Sequence, residues 1–499
     1  MKDNILLWLG DEFTYFGMAN FLQNKLNCNL YGIFDTERKE IKDFFQNQKL
    51  INFSKLWSYQ DHTSKIKEPD MEYLESFEKK YKINLWDIAY SERYFYSEFN
   101  PYHKFTKNEI LSIIEQECRF FDNVLDEVKP SYFMATLISR HHKFLLYKLC
   151  RSRGIKFLTW EWSRFGGRWI VSSEIARIDK PEDYVNTKSD FFKTNDDLMD
   201  YLENNPLPIS YSDGAKYKTE KQKKIISLLK FLITPIDKNL DSTYLQYGKT
   251  KTNMLTKGSR SLQSRKRKKI ESYMADNLTT KIDSTIPFLY FPLHLEPERE
   301  LLIQSPFLTN QISVITNISK VLPVNYQLYV KEHPAMRSNG WRSVDYYSNL
   351  QNLPNVTLIH PSVNSKELIE KCSLVVTIAG DTALEAAFFN KPSIVFTNTD
   401  FSVLPFVFHV EDFKNLKETI RVALDSEVNF DHLKKYVSYV NENSFEFDYL
   451  TIRADFNNII YYPGFLGKID ISEDNVKQFI EKHSSAFSKL ADEHIKKIN

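Results

Sequence analysis

The chain of 499 residues is too long for one ordinary core and predicts about three structural units. Its 42% hydrophobic and 26% charged residues exclude wholesale disorder and a fibrous repeat. With 66 Lys and Arg against 65 Asp and Glu, a formal charge of +1 excludes a global attraction to nucleic acid or to an anionic membrane.

The cysteines and the apolar stretches indicate in which cellular compartment to expect the protein. Four dispersed cysteines without a CxxC pair indicate neither a zinc site nor a disulfide framework. The first ten residues lack the pattern of a signal peptide, and the longest apolar stretches fall short of the ~20 residues that span a bilayer. We therefore expect a cytoplasmic location, with or without peripheral attachment to the inner face of the cell membrane.

Apolar runs alternate with helical spacing from the first residues to about residue 180. The strand candidates are 4–9, 29–34, 131–137 and 156–160, and the helix candidates are 13–26, 107–128 and 143–151. The opening strand, helix and strand are typical of a βαβ unit. We predict a first Rossmann-like domain over residues 1–180.

Residues 181–284 lose this alternation and form a basic linker or insert. Between Lys216 and Lys269 the sequence has 16 Lys and Arg against three acids, a local excess of 16 − 3 = +13. One interpretation is peripheral docking on an anionic membrane or an acidic glycan, and the other is a solvated interdomain helix and loop. No recognisable nucleic-acid module accompanies the charge, so nucleic acid is not expected as a partner.

The alternation of strand and helix patterns returns from residue 285 and predicts a second Rossmann-like domain over 285–425. Its strand candidates are 287–291, 327–331, 356–359, 374–378, 393–397 and 406–410, and its helix candidates are 310–321, 365–372, 382–390 and 416–424. Such a succession predicts a parallel, doubly wound sheet.

Residues 426–499 are predicted to form a helical C-terminal tail. Two such α/β domains place a ligand in the cleft between them, outside the carboxyl ends of the strands.

Polar residues follow three strands of the second domain. His294 and Arg299 come after the first strand, where Arg299 is suited to hold two phosphate oxygens, unless Glu298 and Arg299 are only exposed charges at a helix start. Lys331 and His333 come after the next strand, before Pro334, and predict a contact with a phosphate or a leaving group.

The third motif is the run from Gly380 to Ala386. Gly380, the hydroxyl of Thr382 and the helix start suit an anion, while Glu385, one turn later, is placed for vicinal ribose hydroxyls. The alternative is an ordinary helix with Asp381 as its N-cap and Glu385 in its first turn.

These motifs resemble a known family over about 110 residues. The run from Phe288 to Phe396, with its Phe-Pro-Leu-His, Lys-Glu-His-Pro and Gly380 to Ala386 segments, is similar to the capsule polysaccharide biosynthesis proteins. The resemblance implies a glycosyltransferase of the two-domain GT-B architecture, distantly related to bacterial transferases of Kdo and sialic acid that carry a His-Pro motif. It implies that His333 and the turn at Gly380 and Thr382 face the phosphate of a nucleotide-sugar donor, and that Glu385 faces the ribose.

One residue departs from the family pattern. The chain has Asp381 after Gly380, where relatives usually have Thr, and an ionised Asp facing a phosphate repels it. Either Asp381 caps the helix away from the site or the affinity for the donor is reduced, which leaves a non-catalytic relative open.

The resulting expectation is transfer of a sugar from a nucleotide sugar to a surface glycan or a lipid-linked glycan. The first domain faces the acceptor and supplies the general base, for which Asp11 and Glu12 rank ahead of Glu161, with His141 and His142 as rivals. We expect no cofactor and no obligatory metal. The alternatives are a nucleotide-sugar epimerase of the same architecture and a non-catalytic glycan-assembly protein that retains the fold.

Overall fold

A computed structural model describes most of the chain. The residues outside the description are 1, 11, 37–38, 64–66, 97–98, 101–102, 189–190, 205–253, 284, 461–470 and 499. The stretch 205–253 covers the amphipathic part of the predicted basic linker, so the interpretation of that part as a docking segment lies outside the described residues.

The first half is built on a sheet of seven strands. In chain order they are β1 (Asp3–Leu9), β2 (Cys28–Phe34), β3 (Phe53–Ser58), β4 (Tyr132–Met134), β5 (Lys156–Trp162), β6 (Arg168–Ser172) and β13 (Phe445–Glu446). Their order in the sheet is β13-β6-β5-β4-β1-β2-β3. Strands β1 to β5 pair in parallel, whereas β6 pairs antiparallel with β5 and with β13.

Helices cover both faces of this sheet. They are α1 (Thr14–Lys25), α2 (Lys39–Asn47), α3 (Met71–Tyr81), α4 (Leu85–Tyr90), α5 (Lys107–Val128) and α6 (His141–Ser152). A further helix, α7 (Asn195–Asn204), packs in a separate core that includes residues of the second half. The central strand β1 is buried from Ile5 to Leu9, and alternate residues enter two separate hydrophobic cores. A continuous apolar run suits this strand because each of its faces meets a helical layer.

The second half is built on a six-stranded, fully parallel sheet. Its strands are β7 (Phe288–Pro292), β8 (Gln327–Lys331), β9 (Val356–Ile359), β10 (Leu374–Thr377), β11 (Ser393–Val395) and β12 (Val407–His409), in the order β12-β11-β10-β7-β8-β9. The helices are α8 (Met254–Asn277), α9 (Gln311–Val321), α10 (Met336–Asn339), α11 (Val344–Gln351), α12 (Ser365–Lys371), α13 (Thr382–Phe388) and α14 (Leu416–Leu424). The order reverses beside β7 and β10, so the switch point lies between these two strands.

The C-terminal tail is helical; its first helix packs in a core shared with the second half, and its last three helices pack on the first half. Its helices are α15 (Phe430–Glu442), α16 (Tyr449–Ile460), α17 (Glu473–Lys482) and α18 (Ser484–Ile498). Phe487 of α18 approaches Gly17 of α1 so closely that a Cβ at Gly17 would lie 2.6 Å from its ring. The tail therefore completes the core on one face of the first sheet.

The predicted fold class is confirmed, with two doubly wound α/β sheets and a helical tail. The six strand candidates of the second half all form, and helices 107–128 and 416–424 have the expected bounds. Among the elements that the sequence did not predict are β3, β6, α2, α3, α4 and α11. Among the described residues, no helix is both long enough and apolar enough to cross a membrane.

Candidate functional site

A cavity of about 350 Å³ lies where the two halves face each other. It is lined by the strand ends of the second sheet and by the hairpin between β5 and β6 of the first. Seven of the ten predicted site residues line it: Glu161, His294, Arg299, Lys331, His333, Gly380 and Thr382. Parallel strands bring their carboxyl ends to one edge, which explains why motifs distant in sequence converge.

The turn after β10 is shaped by a close approach of the backbone to Thr377. A Cβ on Gly380 would lie 2.7 Å from Thr377 Oγ1, so only glycine fits here without displacing the Thr377 side chain or the turn. The amide of Gly380 donates to the same Oγ1 at 3.3 Å. Thr382 begins α13 directly after this turn and lines the cavity.

His294 orders this turn from the neighbouring strand end. Its Nε2 lies 3.1 Å from Thr377 Oγ1 and accepts the amide of Ala379 at 3.3 Å. Burial, with a smaller effect from the charge of His333, lowers the pKa of His294 to about 3. His294 is therefore neutral at physiological pH, and its observed contacts position the turn instead of supplying a charge.

The end of β8 contributes Lys331 and His333. Lys331 is 2% exposed, and its Nζ donates to Ser365 Oγ at 2.5 Å while the side chain lines the cavity. The Nδ1 of His333 accepts the amide of Ala335 at 3.2 Å. In the neutral imidazole this contact leaves the proton on Nε2, so His333 presents a donor nitrogen.

Arg342, which the sequence did not single out, ties the first two motifs together. Its guanidinium donates to Glu332, to Glu296 Oε2 at 3.2 Å and to the carbonyl of His294 at 2.5 Å. Glu332 also accepts the hydroxyl of Tyr347 at 2.7 Å. Such a planar fork fixes the relative positions of the loops after β7 and β8. No local pattern distinguishes Arg342 from a surface arginine.

Two predicted roles change because Glu161 and Arg299 bind each other. The guanidinium of Arg299 donates to both oxygens of Glu161, at 3.0 and 2.9 Å, and to Glu300 at 2.9 Å. Burial opposes the charge of Arg299, but the carboxylates of Glu161 and Glu300 outweigh it and raise the pKa of Arg299. In this conformation Glu161 is not placed as a base and Arg299 does not offer a free fork to a phosphate.

A second ion pair crosses the cleft, and here the first half supplies the positive charge and the second half the negative charges. Arg164, in the turn between β5 and β6, donates to Asp381 Oδ1 at 2.6 Å and to Asp400 Oδ2 at 2.5 Å. Asp381 is the N-cap of α13, yet its side chain makes no capping hydrogen bond. Asp381 therefore does not cap the helix away from the site: it lines the cavity, and Arg164 compensates its charge. Reduced affinity for the donor stays a prediction.

Glu298 is a cavity residue whose pKa is strongly shifted toward neutral pH. Burial and the neighbouring carboxylate of Glu300 raise the pKa of Glu298 to about 8, although Arg299 acts in the opposite direction. A carboxyl group with this pKa exchanges protons near pH 7 to 8, as a general acid or base requires. The sequence had placed it in a functional loop without giving it a role.

The remaining predicted residues lie elsewhere. Asp11 is outside the described residues, and Glu12 accepts the hydroxyl of Tyr449 at 2.8 Å without lining the cavity. Glu385 is 5% exposed and does not line the cavity, so its contact with a ribose stays a prediction.

His141 and His142 are buried beneath the first sheet's strand ends. His141 lies between Glu92 Oε2, at 2.6 Å, and Glu117 Oε1, at 2.8 Å. Glu117, His141 and His142 bring potential metal-ligand atoms within 4.8 Å of one another. Neither histidine lines the cavity, so neither is placed as its base.

The fold and cavity define a class of two-sheet α/β proteins with a ligand cleft between their strand ends. Within that class, residues 219–406 match the family model "Capsule polysaccharide biosynthesis protein". The match confirms the resemblance drawn from the strand-end motifs and begins within the basic linker. No curated protein matches the sequence of the chain.

Solved structures with a similar fold have low sequence identity. The UDP-GlcNAc 2-epimerase from Methanocaldococcus jannaschii is 14% identical, with 86% of this chain and 94% of that chain covered and a TM-score of 0.24. KpsC from Thermosulfurimonas dismutans, described as a beta Kdo 2,7 transferase, is 12% identical, with 72% and 98% covered and a TM-score of 0.28. Its beta Kdo 2,4 transferase is 10% identical, with 62% and 79% covered and a TM-score of 0.30. These scores are too low to carry an argument about activity.

Proposed function

We propose that the protein is a glycosyltransferase that moves a sugar from a nucleotide sugar to a capsular-type glycan. The observation that carries the proposal is the convergence of Lys331, His333, Gly380 and Thr382 on one cavity between two α/β sheets. The family match over 219–406 spans all four residues and supports the same role.

Transfer of the sugar requires positive charge and hydrogen-bond donors at the point where the nucleotide leaves. Negative charge grows on the departing phosphate in the transition state, and preorganised donors lower the barrier. The ammonium of Lys331 and the Nε2–H of His333 fulfil this role, and the hydroxyl of Thr382 adds a donor. Arg164 removes the penalty that an ionised Asp381 would impose on a phosphate in the same cavity.

Glu298 replaces the first-half carboxylates as our candidate for the general base. It lines the cavity, and its pKa of about 8 lets it take the proton of an acceptor hydroxyl as the new bond forms. Transfer proceeds without an obligatory divalent ion in this proposal, because cationic side chains meet the phosphate charge. Activity that survives an excess of EDTA would support this part, and loss of activity restored by Mg²⁺ would contradict it.

Binding of the donor is tested by thermal shift with CMP, UDP, GDP and CDP. We expect one nucleotide to stabilise the wild type, and His333→Ala and Glu385→Ala to abolish the shift. His360→Ala is the matched control because His360 pairs with Ser362 and does not line the cavity. An unchanged response in both site variants would remove the site assignment.

Two other functions are separated by what happens to a bound nucleotide sugar. Isomerisation of the sugar without any acceptor would identify an epimerase of the same architecture. Failure to bind any of the nucleotides by calorimetry would identify a non-catalytic assembly protein. Turnover that requires a glycan or lipid-linked glycan acceptor would identify the proposed transferase.

The basic segment Lys216–Lys269 is proposed as a peripheral contact with the inner face of the membrane, where a lipid-linked acceptor would be found. Its local charge of +13 favours anionic headgroups. Sedimentation with phosphatidylglycerol vesicles, and not with phosphatidylcholine vesicles, is expected. Replacing the five residues Arg265 to Lys269 by Gln should reduce it, and equal binding to both vesicles would contradict this location.

A further inference from the structure

A short π-helical segment, Glu300–Gln304, forms part of the cavity wall directly after Arg299. Its first and last residues, Glu300 and Gln304, line the cavity, whereas the three residues between them are buried. Segments of this kind are rare and frequently occur at functional sites. Neither Glu300 nor Gln304 has a role in the proposed function.

Glu300 is held in one orientation and keeps one carboxylate oxygen unused. Its Oε1 accepts the Nε–H of Arg299 at 2.9 Å, and Arg299 is itself fixed by two hydrogen bonds to Glu161. The other oxygen, Oε2, is buried and accepts no hydrogen bond from the described residues. Because a buried acceptor without a donor is costly, a ligand hydroxyl that donates to it is bound favourably.

Gln304 adds a neutral polar group to the same wall. Its side chain makes no hydrogen bond with any residue in the described part of the chain. A carboxamide offers two donors and one carbonyl acceptor. Glu300 accepts, and Gln304 both donates and accepts, so together they match sugar hydroxyls, each of which is a donor and an acceptor.

The charges around this wall argue against an acidic sugar. Within the described residues, five carboxylates line the cavity: Glu161, Glu298, Glu300, Glu332 and Asp381. The lining arginines, Arg164 and Arg299, are already engaged in ion pairs, and the proposed function assigns Lys331 to the donor phosphate. A sugar carboxylate beside Glu300 would therefore meet repulsion that water screens only partly.

We propose that Glu300 and Gln304 bind hydroxyl groups of the transferred sugar and select a sugar without a carboxylate. This inference rests on the proposed function and names its donor class: a nucleotide that carries an uncharged sugar. The phosphate-binding residues and this wall line one cavity of about 350 Å³, so a single nucleotide sugar can contact both. Its hydroxyls supply the donor that Glu300 Oε2 lacks.

The test compares nucleotide sugars in matched pairs by calorimetry on the full chain, for the nucleotide that stabilises the wild type. The pairs are UDP-glucose with UDP-glucuronate, GDP-mannose with GDP-mannuronate, CDP-glucose with CDP-glucuronate, and CMP-N-acetylneuraminate methyl ester with CMP-N-acetylneuraminate. Both members share the nucleotide, so phosphate contacts cancel in the ratio of their affinities. We expect the uncharged member to bind about tenfold more tightly or better.

Two variants separate the sugar contact from the rest of the site. In Glu300→Gln the amide oxygen can still accept Arg299 Nε, which places the amide NH₂ where Oε2 was and replaces an acceptor by a donor. The uncharged member should lose about tenfold in affinity and the acidic member should gain. Gln304→Leu should weaken the uncharged member about fivefold without favouring the acidic one.

Glu370→Gln is the matched control because Glu370 is exposed on α12 and does not line the cavity. It should leave both affinities unchanged, and the melting temperature of each unliganded variant shows whether it folds. The comparison of the two members in the wild type needs no variant, so a variant that misfolds does not remove the test.

The outcomes distinguish this inference from the proposed function. Equal or tighter binding of the acidic member by the wild type would overturn the inference while nucleotide binding upholds the proposed function. An affinity ratio that both Glu300→Gln and Gln304→Leu leave unchanged would overturn it in the same way. Failure of every nucleotide to bind would overturn the proposed function and this inference with it.

Discussion

Arg164 and Asp381 form a 2.6 Å ion pair that joins the first half of the chain to the turn of the second half where we place the donor phosphate. Arg164 reaches this position from a left-handed backbone conformation, φ 72°, in the hairpin between β5 and β6. An acidic residue after Gly380 would by itself repel a phosphate. Because Asp381 binds Arg164, its charge is compensated and the residue joins the two halves.

Arg164→Ala should lower both stability and nucleotide affinity. Asp381 and the nearly buried Asp400 would lose their shared partner, and removing one member of such a buried group typically lowers the free energy of unfolding by about 3–5 kcal/mol. Urea denaturation and nucleotide titration measure the two effects.

Asp381→Asn provides the contrast because it leaves the pair between Arg164 and Asp400 intact. It removes a negative charge from the cavity, so nucleotide affinity should stay equal or increase. Weaker binding by Asp381→Asn would show that Asp381 itself contacts the ligand.

Gly380→Ala should weaken nucleotide binding more than it weakens the fold. Its Cβ would lie 2.7 Å from Thr377 Oγ1, so the turn or the Thr377 side chain that anchors it has to move. Gly167→Ala is the control, since no atom lies within 4 Å of a Cβ there. Calorimetric nucleotide affinities that fall equally in both variants, or in neither, would argue against a role for this turn.

Glu298→Gln should abolish the alkaline ionisation in the pH profile of kcat/KM. As a base, Glu298 works when deprotonated, so activity should rise as the pH passes through about 8. Glu161→Gln is the matched carboxylate-to-amide change, and it should keep that ionisation because Glu161 is bound by Arg299. The opposite result, loss of the ionisation only in Glu161→Gln, would return the base to the first half.

The buried His141 network should make stability decline in mildly alkaline solution. Burial opposes its charge, but Glu117 and Glu92 outweigh burial and raise the pKa of His141 from 6.5 to about 9. A raised folded-state pKa gives stability that is complete below pH 6.5 and is lost as the pH rises through about 9.

Urea denaturation between these pH values checks the decline. Between pH 6.5 and about 9, the free energy of unfolding of the wild type should fall by on the order of 3 kcal/mol more than that of His141→Gln. The charge of Arg140 and the hydrogen bond of His141 outweigh burial and lower the pKa of Glu92, so its contribution is present above pH 4.5 and is lost on acidification. Parallel pH profiles of the two proteins above pH 6.5 would show that His141 is not charged in the folded state.

The candidate site was predictable to the extent that it consists of strand ends. Lys331, His333 and Gly380 follow apolar runs that could only be buried strands, and parallel strands end at one edge. Arg342 could not be found in this way, because its importance comes from Glu332 and the carbonyl of His294, which local sequence does not place beside it.

The sequence by itself determined the alternation of strands and helices and the edge at which the polar motifs meet, because hydrophobic periodicity is a local property. Only the tertiary structure decided which charges pair across the cleft. Arg164 is separated from Asp381 by 217 residues, and Glu161 from Arg299 by 138. At such separations the choice of partner depends on how the two halves face each other, so Glu161 and Arg299 became partners, while Glu298 retained a carboxyl group able to exchange a proton near neutral pH.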